Sequence, residues 1–204
     1  MTAFHSISNS ISQTFYGQEL LDLVKVFDET IQVVCCARQQ DAQIAQYLEL
    51  LAANQQLSAL EHKTVYQLQK SMDWSFLPSA QGKEAFIADI EFLVDVYSEL
   101  LGCDRVGLRI EVLNKAMCPR FHIDKVGIRL LTTYCGVGTQ WLSDYQGALT
   151  QINEQAVTIS QAEAFDVVLL KGSLWPNNQQ AGAIHRSPAV EQTRVLLALD
   201  ALWD

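Results

Sequence analysis

The sequence predicts an α+β protein, with helices in the first half and a sandwich or barrel of short strands in the second. Three observations lead there. Apolar residues recur at helical spacing over 41–54 and 83–101, the i, i+3, i+4 pattern of amphipathic helices. After Gly102 the texture changes to short alternating or β-branched runs separated by Gly, Pro and Asn, as expected of a closed or two-layered sheet. The 204 residues also suffice for one sizeable core, because a chain of this length buries roughly 70% of its unfolded surface. No internal repeat or low-complexity tract divides it. Residues 1–204 are therefore expected to form a single domain, with a mobile arm over 1–17, a mainly helical part over 18–103 and a stranded part over 104–204.

Taken in order, residues 1–17 are polar and lack apolar periodicity, hence the expected arm. Leu20, Leu21, Val24 and Phe27 predict a short amphipathic helix. The continuous β-branched run TIQVVCCA over 30–37 has the pattern of a strand buried on both faces. Cys35 and Cys36 then face opposite sides and act as small core residues, not as a chelating pair. In DAQIAQYLELLAAN, Asp41 is placed to cap a helix whose inner face carries Ile44, Tyr47, Leu48 and Leu51. The segment 57–82 is ambiguous, and its His62, between Glu61 and Lys63, is expected to be a solvated surface residue. From Lys83 to Leu101, Phe86, Ile90, Leu93, Val94, Tyr97 and Leu100 mark the clearest helix, with Gly102 ending it. Strand-like runs follow in RVGLRIEVL, KAMCPRFHIDKVGIRLLTTY, TQWL, AVTIS, AFDVVLLKGSLW, IHRSP and TRVLLALDALW, with turns at GVG, around Asp144 to Gly147 and in PNNQQAGA.

Composition excludes several classes of function. Net charge is −9 and no Lys/Arg-rich run occurs, so the basic footprint of a nucleic-acid binder is missing. No apolar stretch approaches the roughly 18 residues of a membrane span, and no basic then apolar leader opens the chain. A cytoplasmic protein acting on a small molecule or a protein is expected. The five cysteines are odd in number and irregularly spaced, without CxxC, which argues for free thiols over a disulfide framework or a four-cysteine zinc site.

The chemistry-bearing stretch is MCPRFHIDKVGIRLLTTYCGVGTQWL, where His122 and Asp124 stand at i and i+2. In a strand such residues project from one face, so an imidazole and a carboxylate would share one space as half a metal site. A hydrogen-bonded core histidine and a capping aspartate would give the same two letters. Further along, His185 follows AFDVVLLKGSLW and a polar loop, and Arg194 opens the run RVLLALD. Two histidines and one carboxylate form the set that binds non-haem Fe(II) while leaving positions open for other ligands. An arginine placed after them can clasp a carboxylate with its planar fork.

On these residues the second half, roughly 105–204, resembles the 2-oxoglutarate- and Fe(II)-dependent oxygenases. That resemblance implies a double-stranded β-helix (jelly-roll, cupin-like) with the N-terminal helices packed on it. It assigns His122, Asp124 and His185 to the metal and Arg194 to the far carboxylate of 2-oxoglutarate, with Tyr134 and Thr132 facing the same cavity. The whole chain, above all CPRFHIDKVGIRLLTTYCGVGTQWL with KGSLW and IHRSP, is also similar to the bacterial family called domain of unknown function 1826, a name that implies no activity; the resemblance points to a metal-linked role. Cys118, four residues before His122, keeps a second reading open: a zinc-binding or zinc-homeostasis protein that uses the same site without turnover, with a thiolate favouring Zn(II). A buried thiol beside a turn proline is the plainer role for Cys118. Arg120 and Arg129 would either bind an anionic substrate or pair with scaffold carboxylates, and Arg186, pointing away from His185, would either form a salt bridge or meet substrate.

Overall fold

The computed structural model describes residues 13–143, 145, 149–178 and 182–203. Among these the order of elements is β1 (Gln13–Gly17), β2 (Ile31–Cys36), α1 (Ala42–Ala53), β3 (His62–Gln67), α2 (Lys83–Leu101), β4 (Arg105–Leu113), β5 (Ile128–Cys135), β6 (Gln140–Leu142), β7 (Ile159–Gln161), β8 (Val167–Lys171), β9 (His185–Arg186) and β10 (Arg194–Ala201). Seven strands form one sheet in the order β1-β2-β8-β5-β10-β4-β3, and β7-β6-β9 form a second. All pairings are antiparallel except β1 with β2. The result is a mixed, jelly-roll-like fold with a large sheet, a small sheet and few helices. Among the described residues no helix is long and apolar enough to cross a membrane.

The continuous apolar strands are explained by two cores, one on each face of the large sheet. On β10, Val195, Leu197 and Leu199 join the core beneath the helices, whereas Leu196 and Ala198 join a smaller core with Trp141 of β6. On β2, Val34 and Cys36 face the helices and Val33 and Cys35 face the small sheet. The two adjacent cysteines are thus split between cores, as expected of strand neighbours.

Both helices form where local signals ask for them. The Asp41 carboxylate accepts from the N–H groups of Gln43 and Ile44 at 2.7 and 3.2 Å, and α2 ends at Gly102 in the left-handed conformation (φ 62°), which glycine adopts without steric cost. Phe86, Ile90, Leu93, Val94 and Tyr97 of α2 are buried in the core shared with β4, β5 and β10, each stabilising by roughly 1.5–3 kcal/mol. The Tyr97 hydroxyl donates to the Ile128 carbonyl and accepts from the Ala201 N–H. One side chain thereby ties α2 to the start of β5 and the end of β10.

Four expectations are corrected or extended. Residues 13–17 of the expected arm form β1, with the Trp141 indole donating to the Thr14 hydroxyl at 3.0 Å; residues 1–12 and most of the turn around 144–147 lie outside the described residues. The part 18–103 carries both α-helices and also contributes β2 and β3 to the large sheet. The ambiguous segment contains β3, an edge strand paired only with β4, and His62 there is half-buried, stacked on Phe76 at 3.9 Å between ring centroids. Finally, Leu20–Phe27 is a 3-10 helix that buries Leu23 and Val26 and leaves Leu21, Val24 and Phe27 exposed. Its three-residue turn selects a different face from the one a 3.6-residue period selects.

Candidate metal centre

His122 and Asp124 do not sit in a regular strand. They lie in the long connection from β4 to β5, and separate anchors hold each. His122 forms an isolated antiparallel bridge with His185 of β9, each N–H donating to the other's carbonyl at 3.0 Å. The Ser187 N–H extends the rung by donating to the Cys118 carbonyl at 2.9 Å. Directly opposed residues of an antiparallel pair project side by side, and the two imidazole centroids are 4.5 Å apart. Asp124 is held from the large sheet instead. Its carbonyl accepts from the Ser173 N–H at 2.9 Å, and those of Val126 and Gly127 accept from Leu174 and Gly172 at 3.0 and 2.7 Å. A Cβ at Gly172 would lie 2.2 Å from the Val126 carbonyl oxygen, so this loop reaches its place only because residue 172 lacks a side chain.

The three side chains converge. Asp124 Oδ1 lies 3.4 Å from His122 Nε2, and Oδ2 lies 3.4 Å from His185 Nε2. One ligand atom from each residue falls within 4.8 Å of the others. His122 Nδ1 is 2.9 Å from the Arg120 carbonyl and His185 Nδ1 is 2.9 Å from the Ala183 carbonyl. A carbonyl can only accept, so both Nδ1 atoms carry hydrogen, and in the neutral rings both Nε2 lone pairs face a carboxylate. Such an array is repulsive until protons or a cation lie between. Separations near 3.4 Å suit ligands bonded to one ion at roughly 2.0–2.2 Å, so the donor set fits a divalent metal. The hydrogen bond to Asp124 raises the His122 pKa against the opposing effect of burial. Burial pushes the Asp124 carboxyl up, but hydrogen bonds from His122 and His185 and the charge of Arg129 outweigh it and hold the group well below the usual carboxylate range.

The triad lines a cavity of about 90 Å³ that Leu131, Arg194, Leu196 and Ala198 also line. Arg194 is 1% exposed and has no carboxylate partner among the described residues. Its Nη1 donates to Ser187 Oγ at 3.1 Å, its Nη2 donates to Thr133 Oγ1 at 3.1 Å and Thr139 Oγ1 at 2.9 Å, and its Nε–H has no partner. Burial pulls its pKa down to about 10, so at neutral pH it is a desolvated cation in need of an anion.

Tyr134 and Thr132, expected in the cavity, are on the opposite face. On β5, Ile128, Leu130 and Tyr134 belong to the core beneath the helices, and Thr132 pairs in register with Leu197 and Val167 of that same core. The Tyr134 hydroxyl donates to Asp89 of α2 at 2.7 Å, and Asp89 also pairs with Arg38 at 2.8 Å. The cavity side of β5 carries Arg129, Leu131 and Thr133 instead, and the placement that the resemblance implied for Tyr134 and Thr132 does not hold in this register. Cys118 is exposed at the cavity rim and is not among the clustered ligands; neither a buried thiol nor a thiolate ligand describes it. Arg186 is committed outside the triad, to Gln140 at 2.8 Å, to Glu154 at 2.9 Å and over the Phe121 ring at 4.3 Å. Sequence reasoning missed Thr133, Thr139 and Ser187 around Arg194, and Asp200, which continues the parity of Arg194, Leu196 and Ala198 and could have been found from it.

A model of the family described as "Protein of unknown function (DUF1826)" matches residues 17–200. The chain belongs to that family. No curated protein matches its sequence. Among solved structures, the dioxygenase for auxin oxidation (DAO) in rice is similar with a TM-score of 0.55 at 13% identity, over 94% of this chain and 83% of that one. A Pseudomonas putida prolyl-4-hydroxylase gives 0.53 at 10% identity, over 91% and 100%. A full-length Neurospora crassa protein, solved in complex with alpha-KG and thymine, gives 0.53 at 12% identity, over 98% and 88%. At these identities the shared property is the fold alone, in which this DUF1826 protein resembles these oxygenases.

Proposed function

We propose that the chain is a non-haem Fe(II)- and 2-oxoglutarate-dependent oxygenase built on a double-stranded β-helix. His122, Asp124 and His185 are its metal ligands, and Arg194 is the partner of the co-substrate's distal carboxylate. The reading is carried by one coincidence: the His-Asp-His group and a buried arginine with no carboxylate partner among the described residues share a single cavity. The solved structures with the same fold support it, since the Neurospora crassa protein is in complex with alpha-KG.

Iron, when bound, supplies oxygen activation with 2-oxoglutarate as co-substrate. The chain's own residues prepare the site. Backbone carbonyls hold each histidine in the tautomer that offers Nε2. Three hydroxyls hold the Arg194 fork in a fixed plane with its Nε–H unused, and the Ser187 and Thr139 hydroxyls, having accepted from Arg194, remain able to donate to the same anion. Leu131, Leu196 and Ala198 keep the wall apolar, which strengthens the attraction between guanidinium and carboxylate.

The deciding experiment loads the protein with Fe(II) anaerobically and titrates 2-oxoglutarate, reading visible absorption, with calorimetry of the Mn(II) form alongside. Stoichiometric metal binding followed by saturable 2-oxoglutarate binding is expected. Metal binding without any 2-oxoglutarate binding at millimolar concentration overturns the co-substrate assignment.

A further inference from the structure

Arg129 stands on the cavity side of β5, directly opposite Asp200 of β10. Its Nε donates to Asp200 Oδ1 at 2.7 Å and its Nη2 to Asp200 Oδ2 at 3.0 Å, the fork-to-fork geometry of a bidentate pair. Its remaining arm, Nη1, donates to Asp124 Oδ2. Asp200 is in turn held by Arg109 of β4 at 3.1 Å, and Arg109 lies 3.6 Å from Glu111. A line of alternating charge, Glu111, Arg109, Asp200, Arg129, Asp124, therefore crosses three strands and ends on a proposed metal ligand. The side chains of Asp124, Arg129 and Asp200 are only 15%, 18% and 19% exposed.

Asp124 needs such a device. It sits in a loop, and the last torsion of an aspartate side chain is broad and roughly two-fold, so the backbone alone leaves the carboxylate plane free to turn. A guanidinium anchored on two points of Asp200 has no such freedom. By occupying Oδ2 it leaves Oδ1 as the less engaged oxygen. Resting on the metal-site reading above, we infer that Arg129, clamped by Asp200, is a positioning residue that fixes the Asp124 carboxylate so that Oδ1 alone is presented to the ion. Lysine could not replace it, because an ammonium is a point charge that cannot grip Asp200 twice and reach Asp124 as well.

The test is Mn(II) binding to the purified full chain, read by titration and by the electron paramagnetic resonance spectrum, with circular dichroism to verify folding. Asp200→Asn touches neither the ligand nor the group that contacts the ion, yet it should raise the Mn(II) Kd about tenfold or more and broaden the spectrum, as loss of an outer partner of a metal ligand does. Arg129→Lys should behave likewise. Wild-type affinity and an unchanged spectrum in folded Asp200→Asn and Arg129→Lys would overturn the inference and leave Arg129 a cross-strand ion pair. Absence of Mn(II) binding by the unaltered protein removes the metal-site reading, and the inference with it.

Discussion

An imidazole whose Nδ1–H is held by a backbone carbonyl has one nitrogen left to offer, and both His122 and His185 are held in this way. Proton and metal then compete for the same Nε2 atoms. Because contact with Asp124 raises the His122 pKa, protons win at higher pH than the ordinary histidine value of about 6.5. Mn(II) affinity should therefore fall as pH is lowered from about 8 to about 6, the decline beginning above that ordinary value; a pH series of titrations checks this, and a flat profile would detach His122 from the ion. In the metal-free protein the linkage has the opposite sense: His122 with its raised pKa adds stability while protonated, and this contribution is lost as pH rises through the folded-state pKa. Arg194 makes the second prediction at this scale. Replacing it by Met should weaken 2-oxoglutarate binding by roughly 2–4 kcal/mol, the cost of removing one partner of a desolvated charge pair, while metal binding persists; calorimetry of the Mn(II) form reads both.

At the scale of elements, β5 shows how one strand serves two purposes. Its cavity side carries Arg129 and Thr133, which hold Asp124 and Arg194, while Tyr134 on the other side fastens the sheet to α2 through Asp89. Tyr134→Phe should leave 2-oxoglutarate affinity unchanged and lower stability by about 1 kcal/mol, the net value of one hydrogen bond. Equilibrium denaturation and the calorimetric titration together check this, and a large loss of co-substrate affinity would return Tyr134 to the cavity. The split was not legible beforehand. Alternation is reliable within a strand, as Arg194, Leu196 and Ala198 show on β10, but which of the two faces of β5 meets the cavity is set by its register with β10 and β8, and a resemblance on distant motifs does not fix that.

Across the whole molecule, the site sits between the sheets and apart from the larger core. His122, Asp124 and His185 line the cavity, so His185→Ala should abolish stoichiometric Mn(II) binding and leave the circular dichroism spectrum unchanged; retention of full occupancy would sink the triad. What the sequence determined by itself is what local interactions decide. The Asp41 cap, the α2 face up to Gly102, the doubly buried β2 run and the parity of β10 each depend on residues within a few positions of one another, and so could be read in order. The histidines and aspartate were visible as a chemical set. Tertiary structure alone decided that 13–17 and 62–67 are edge strands, since such short segments become strands only when a partner supplies the other half of the ladder. It also decided which face of β5 looks into the cavity and that Arg129 and Asp200 meet on Asp124. Those outcomes depend on register between strands far apart in sequence, where shifting the pairing by one residue turns every side chain to the other face.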